Sequence, residues 1–301
     1  MKLNKLTLKD QRLFARYLAF SPHELAAFSF ANIYFWRVFY NIEWVIIKGC
    51  LCIFFRDALG CFMYLPPLSL RVQPEVIPQA FSIMDQFNQN KDISRIENIP
   101  QEDLAGYRSL GYLCNEKYPD YLCRRRDLAL LKGNKFKSQR AAYNYFTKHY
   151  DFAASILKLT DRPGCLDLFD SWILQRKSQC QDTVYCGMLE DNRQLIKEAF
   201  ANYQKLGLEG IVVKIDKQIK AFSFGYRLNK EIFCILYEIT DLTIKGLAQF
   251  IFRQFSQELT GYQYINIMDD SGLENLRKTK LAYKPARLVA AYIATRDERK
   301  Y

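Results

Sequence analysis

Twice along the chain, short strand-like runs lead through a helical run into a strand, a helix and a last strand, an order that excludes all-α and all-β architectures. In the first half the strand runs are "EWVIIKG", "LCIFFRD" and "CFMYLPP", separated by glycine-bearing turns such as "DALG". The helical stretch "PEVIPQAFSIMDQFNQN" follows, with proline near its start. Then come a strand at "ISRIENI", a short helix at "EDLAGYRSLG" and a strand at "DYLCR". The second half opens with the amphipathic "LEDNRQLIKEAFANYQKLG", ending at Gly207. A meander of "GIVVKID", "IKAFSFGYRL" and "EIFCILYEIT" leads to the helix "IKGLAQFIFRQFSQEL", the strand "YQYINIM", another helix and a last strand "ARLVAAYIA". The pattern predicts an α+β (mixed α/β) domain occurring twice, divided as residues 1–150 and 151–301.

Charge narrows the partners. The 301 residues carry a net charge of +11, with a pI of about 9.1, which favours nucleic acid, phosphorylated ligands or an acidic membrane surface. Much of this excess lies between Arg124 and Lys148, where eight Lys and Arg face the single acid Asp127. Phe136, Tyr143, Tyr145 and Phe146 are interleaved with these cations, as on surfaces that track a nucleic-acid backbone. A solvated helix between domains would have the same composition. The most apolar run, "WVIIKGCLCIFF", is broken by Lys48 and Gly49 and is too short to cross a bilayer. The charged N-terminus lacks the apolar core of a secretory leader, so a cytoplasmic protein is expected, peripheral at the inner membrane face if it meets lipid. Nine cysteines without a CxxC pair read as reduced, buried thiols, with Cys50 and Cys52 on one strand face. His23 and His149 are too far apart for a triad, and no metal site is expected.

The stretch "SGLENLRKTKLAYKPARLVAAY", residues 271–292, holds the densest chemistry. Leu273, Leu276, Lys280 and Tyr283 recur at helical spacing, so a lysine sits where a core leucine belongs. Ser271 and Glu274 read as a capping box, with Asp270 just outside it. A lysine on an apolar face must snorkel outward, find a counter-ion or lose basicity; alternatively the face ends at a cleft and the ammonium meets an anionic ligand. Arg277 offers a planar fork for phosphate or carboxylate. Glu238, at the end of an apolar strand run, is a candidate counter-ion or general base.

The order of elements is that of the acetyltransferase-like (GNAT) fold. The tail "YINIMDDSGLENLRKTKLAYKPARLVAAY" resembles the signature of the phosphatidylglycerol lysyltransferase C-terminal domain family. Members read approximately Asn-Arg-Glu-x-Asp-x-Gly, then Leu-Arg-Lys-x-Lys-x-x-Tyr-x-Pro. Asn266, Asp270, Gly272, Leu276, Arg277, Lys278, Lys280, Tyr283 and Pro285 match. Upstream, "DYLCRRRDLALLKGNKFKSQRAAYNYF" is similar to the family's Asp-Tyr-Leu strand and basic helix. Ile267 and Met268 stand where the family usually has Arg-Glu, and Ile239 replaces a lysine after Glu238.

The resemblance implies two GNAT-like domains in tandem, with the active cleft in the C-terminal one. The implied activity is transfer of an amino acid from aminoacyl-tRNA, the donor substrate, to a lipid or small acceptor, with no further cofactor. It implies catalytic roles for Glu238, Asp270 and Lys280 and substrate binding by Arg277, Asn266 and Tyr283. Arg124, Arg125, Arg126, Lys135, Lys137 and Arg140 would meet tRNA. One alternative is a CoA-dependent N-acyltransferase, although "TDLTIKGLAQF", with one Gly and one Lys, is a poor pyrophosphate cradle. The other is a non-catalytic module for RNA or anionic lipid, which the replacements at 267 and 268 favour.

Overall fold

A computed structural model of the chain describes residues 2–20, 23–71, 73–178 and 183–296. The first part runs through β1 (Asn4–Lys5), α1 (Gln11–Leu18), α2 (Phe30–Phe35), β2 (Asn41–Ile47), β3 (Cys50–Arg56) and β4 (Cys61–Met63). It continues with α3 (Val76–Asp85), β5 (Ile96–Pro100), α4 (Leu104–Ser109) and β6 (Tyr112–Glu116). β2 and β3 join at Lys48 and Gly49, both at positive φ (46° and 80°), the backbone a two-residue hairpin needs to match strand twist. β3 is buried on both faces up to Phe55, which accounts for its unbroken apolar run. Pro78 sits in the first turn of α3, where its missing N–H has no intrahelical partner to lose.

The second part contains β7 (Asp120–Arg124), α5 (Arg125–Leu130), α6 (Lys137–His149), β8 (Ala153–Ile156), α7 (Arg162–Ser178) and α8 (Thr183–Ala201). The meander β9 (Glu209–Ile215), β10 (Gln218–Arg227) and β11 (Ile232–Thr240) follows. Then come α9 (Leu247–Glu258), β12 (Tyr264–Asn266), α10 (Glu274–Ala282) and β13 (Arg287–Val289); β14 (Ala291–Arg296) ends the described chain.

The strands form two seven-stranded sheets, ordered β1-β2-β3-β4-β5-β14-β6 and β13-β7-β12-β11-β10-β9-β8. Each contains one parallel pair, β4 with β5 and β11 with β12, next to an antiparallel meander. The two compact units are Met1–Asp120 with Asp269–Glu274 and the chain from Leu288 on, and Tyr121–Met268 with Asn275–Arg287. The division expected at residue 150 is therefore displaced. β7 pairs with β12 through Cys123 and Ile265, and β14 inserts between β5 and β6. The run "ARLVAAYIA", expected as one strand, is two strands in different sheets. Strand pairing over such sequence distances leaves no local signal.

In the second unit α9 lays Leu247, Phe250, Ile251 and Phe255 against Ile211, Val213, Ala221 and Phe233 on one face of the sheet. On the other face Phe222, Phe224 and Tyr237 pack with Phe169 of α7 and Phe200 of α8. Cys50 and Cys52 are buried free thiols, as expected; Cys180 lies outside the described residues.

Candidate functional site

The site grows from a fault in the β10–β11 ladder. Ser223 opposes Glu238 and Phe224 opposes Tyr237, but Gly225 opposes Ile235, so Leu236 is an extra, bulged residue. Gly225 is required there, because a Cβ would collide with the Cys234 carbonyl. On the other side of β11, the parallel ladder with β12 covers only Ile232 to Cys234. From Ile235 onward that edge has left its partner strand. Leu236, Tyr237 and Glu238 are correspondingly half-buried, between wholly buried residues on either side.

Glu238 lies within this opened stretch. Its Oε2 is buried and has no hydrogen-bond partner, and burial pushes its carboxyl up to about 8. Ser223, fully buried and directly across the ladder, also has an Oγ without a partner. Ser223 is two residues from Ala221, a member of the α9-side core, so both polar side chains point to the α9 face. Tyr283 shares that core: its ring lies 4.3 Å from Phe252, and burial, with the Glu238 carboxylate adding, raises its hydroxyl pKa. Nothing in the sequence motif pointed to Ser223. The available signal was a lone serine within the aromatic run "AFSFGY", at core-facing spacing from Ala221.

Lys280 and Asn266 meet at the end of β12. The Lys280 ammonium donates to the carbonyls of Ile267 (2.6 Å) and Met268 (3.2 Å) and lies 5.9 Å from the centre of the Tyr121 ring. The fully buried Asn266 accepts from the Met268 N–H at 2.6 Å through Oδ1, while Met268 takes φ +60°. A cation thus occupies the leucine position because strand carbonyls beyond the ladder need a donor.

Asp270, 4% exposed, belongs to the first unit and accepts from the Gly272 N–H at 3.0 Å. The expected capping box is not formed. α10 begins at Glu274, while Ser271 takes φ +51° and its N–H and hydroxyl both donate to Asp269 Oδ1. Nor is α10 a core helix: it buries no residue, Leu276 is exposed, and Arg277 stands in solvent.

The basic stretch divides by role. Arg125 donates to the carbonyls of Tyr262 and Ser256, and Arg140 to those of Leu131 and Gly133, capping the end of α5. Lys135 pairs with Asp127 at 2.8 Å. Arg124, Arg126 and Lys137 are exposed. The interleaved aromatics do not form an outward stacking platform. Phe136 and Phe146 are fully buried, Tyr143 stacks on Phe250, and Tyr145 lies between His149 and Lys245. The apolar period of α6 turns Tyr143 and Phe146 inward.

On the opposite sheet face, a cleft of about 510 Å³ lies under α7, lined by Trp172, Lys214, Lys217 and Lys220 among others. Lys214 and Lys220 are paired there with Asp161 and Asp241.

The family profile described as "Phosphatidylglycerol lysyltransferase, C-terminal" matches residues 19–295. A conserved protein of unknown function from Bacteroides thetaiotaomicron VPI-5482 is 26% identical, with a TM-score of 0.89 over 99% of this chain and 100% of its own. L-PGS from Bacillus licheniformis is 16% identical, with a TM-score of 0.66 over 98% of this chain and 94% of its own. A tandem GNAT protein from the clavulanic acid biosynthesis pathway is 8% identical, with a TM-score of 0.54 over 98% of each chain. The last two likenesses show the fold, a tandem of GNAT-like units. No curated protein matches the sequence.

Proposed function

The chain belongs to the phosphatidylglycerol lysyltransferase C-terminal family, a transferase family by its description, and we propose that it moves an amino acid from aminoacyl-tRNA to a lipid or small acceptor. The observation that carries this reading is Glu238, whose Oε2 is buried without a hydrogen-bond partner on the stretch of β11 beyond its ladder with β12. As carboxylate it would take the proton from the attacking acceptor. The acceptor atom bonds to the ester carbonyl carbon, the bond to the ribose oxygen breaks, and that oxygen leaves with the proton returned by Glu238. A base near pH 8 suits such two-way proton transfer. The exposed Arg124, Arg126, Lys137 and Arg277 would attract the phosphates of tRNA, while Lys280 and Asn266 would hold the strand end that keeps the edge open. Tyr283 would wall the acyl group on the α9 face.

CoA is a weaker donor for this site. A Cβ on Gly246, the residue before α9, would collide with the Ala142 carbonyl of α6, so a helix packs closely where a GNAT pyrophosphate would approach. Among the described residues no helix is long and apolar enough to cross a membrane; a lipid acceptor would be met at the surface.

The test is transfer from tRNA charged with radiolabelled amino acids to lipid extracts and small amines or alcohols. Glu238→Gln should lower the rate about 10²-fold or more. Affinity for tRNA should fall steeply between low and physiological salt as counterions are released. Flat salt dependence, or no tRNA binding, removes the donor; tRNA binding without transfer favours a non-catalytic RNA module. A clear rise in melting temperature with acetyl-CoA favours the CoA alternative.

A further inference from the structure

Ser223 and Glu238 are not only neighbours; each contributes a buried oxygen that no protein group satisfies. Directly opposed residues of an antiparallel pair hold their Cβ atoms about 5 Å apart, so one small group can reach both side chains. The face around them is largely apolar, formed by Ile211, Ala221 and α9, and neither oxygen receives a hydrogen bond from Tyr283, whose hydroxyl shares that core. Glu238 lies on the stretch of β11 beyond Cys234, where the ladder with β12 has ended.

We propose that this pair binds a primary amine, with Ser223 Oγ and Glu238 Oε2 each accepting one of its N–H groups. Its role as the acceptor of the transferred group rests on the transferase reading above; its binding does not. A primary amine brings at least two donors on one atom and satisfies both oxygens together, whereas an alcohol brings one. The chemistry agrees. An alkylammonium titrates near 10, within reach of a base poised at about 8, whereas a hydroxyl titrates near 15 and needs a stronger base. In transfer, Glu238 takes one N–H proton, the nitrogen lone pair forms the C–N bond to the ester carbonyl, and the C–O bond to the ribose breaks. Its oxygen then leaves with the proton from Glu238, the second N–H proton of the former ammonium passes to solvent water, and Ser223 keeps its own hydrogen throughout.

The experiment is calorimetric titration of the full chain with n-butylamine, n-butanol and butyltrimethylammonium, which carries the charge without an N–H. Butylamine should bind at least 10-fold more tightly than either control. Ser223→Ala should weaken it several-fold, Ser223→Thr, which keeps a hydroxyl, should retain it, and Glu238→Gln should weaken it at least 10-fold. Melting curves of each variant establish that it is folded. Should Ser223→Ala fail to fold, the comparison rests on Ser223→Thr and on the carboxyl infrared band of Glu238, which should shift with butylamine and not with butanol. Equal binding of butanol or of butyltrimethylammonium, or butylamine affinity unchanged in both Ser223→Ala and Glu238→Gln, overturns the proposal. Butylamine binding through the pair without transfer from any aminoacyl-tRNA supports the amine site and removes the transferase reading. Transfer to alcohols but not to amines does the reverse.

Discussion

Glu238 holds its proton because burial penalises the carboxylate, and this makes the stability of the protein depend on pH in a defined direction. Its pKa is about 8 in the folded chain, against 4.5 ordinarily. Between those values the folded state binds the extra proton, so stability falls as pH rises from about 4.5 to about 8 and the penalty is then complete. Glu238→Gln removes the titration. Its stability relative to wild type should therefore increase across that window, by on the order of a few kcal/mol at pH 9, in denaturant unfolding measured at several pH values. A difference that is constant with pH would mean that Glu238 titrates normally. Lys280 is a residue of the opposite kind, already engaged with the carbonyls of Ile267 and Met268. Lys280→Met preserves the stem and deletes the donor, so it should cost about 1–3 kcal/mol, the usual result of orphaning a buried partner. Unfolding at wild-type stability would show that these bonds do not hold the strand end.

At the scale of the element, the site depends on a bulge and on a ladder that stops short. Leu236 bulges, Gly225 lets the two backbones approach, and β12 ends after three pairs. Gly225→Ala should force β10 and β11 apart and cost about 1–3 kcal/mol or more, read as a fall in melting temperature. Amide exchange should quicken first at Phe233 to Tyr237, beside the collision; unchanged protection there would mean that the strands absorb the methyl without opening. Of this arrangement the sequence displayed the strands, since "IKAFSFGYRL" and "EIFCILYEIT" are apolar on both faces. The pairing of Ser223 with Glu238 was not legible. It depends on which residue bulges, and shifting the register by one would send the two side chains to opposite faces.

Over the whole molecule, each sheet takes one strand from a distant stretch of sequence. β14 is hydrogen-bonded on both sides, to β5 and β6, and Arg296 near its end binds Asp85 of α3 with two bonds of 2.9 and 2.7 Å. A chain ended at Ala290 loses the strand between β5 and β6 and leaves β6 without a partner. Hydrogen exchange should then show β5 and β6 unprotected while β9, β10 and β11 keep their protection. Protected β5 and β6 in the shortened chain would mean that β14 is dispensable.

The sequence by itself determined many of the elements and the family: apolar runs of strand length, helical periods of 3.6, and the resemblance at Asn266, Asp270, Arg277, Lys280 and Tyr283. Each of these is written in neighbours along the chain, where periodicity and motif spacing operate. Only the tertiary structure decided that β7 joins the second sheet and β14 the first, that Lys280 serves backbone carbonyls, and that Ser223 stands beside Glu238. Those outcomes depend on which distant strands share a ladder and which polar atoms lose water without gaining a partner. That balance exists only once the chain has closed on itself.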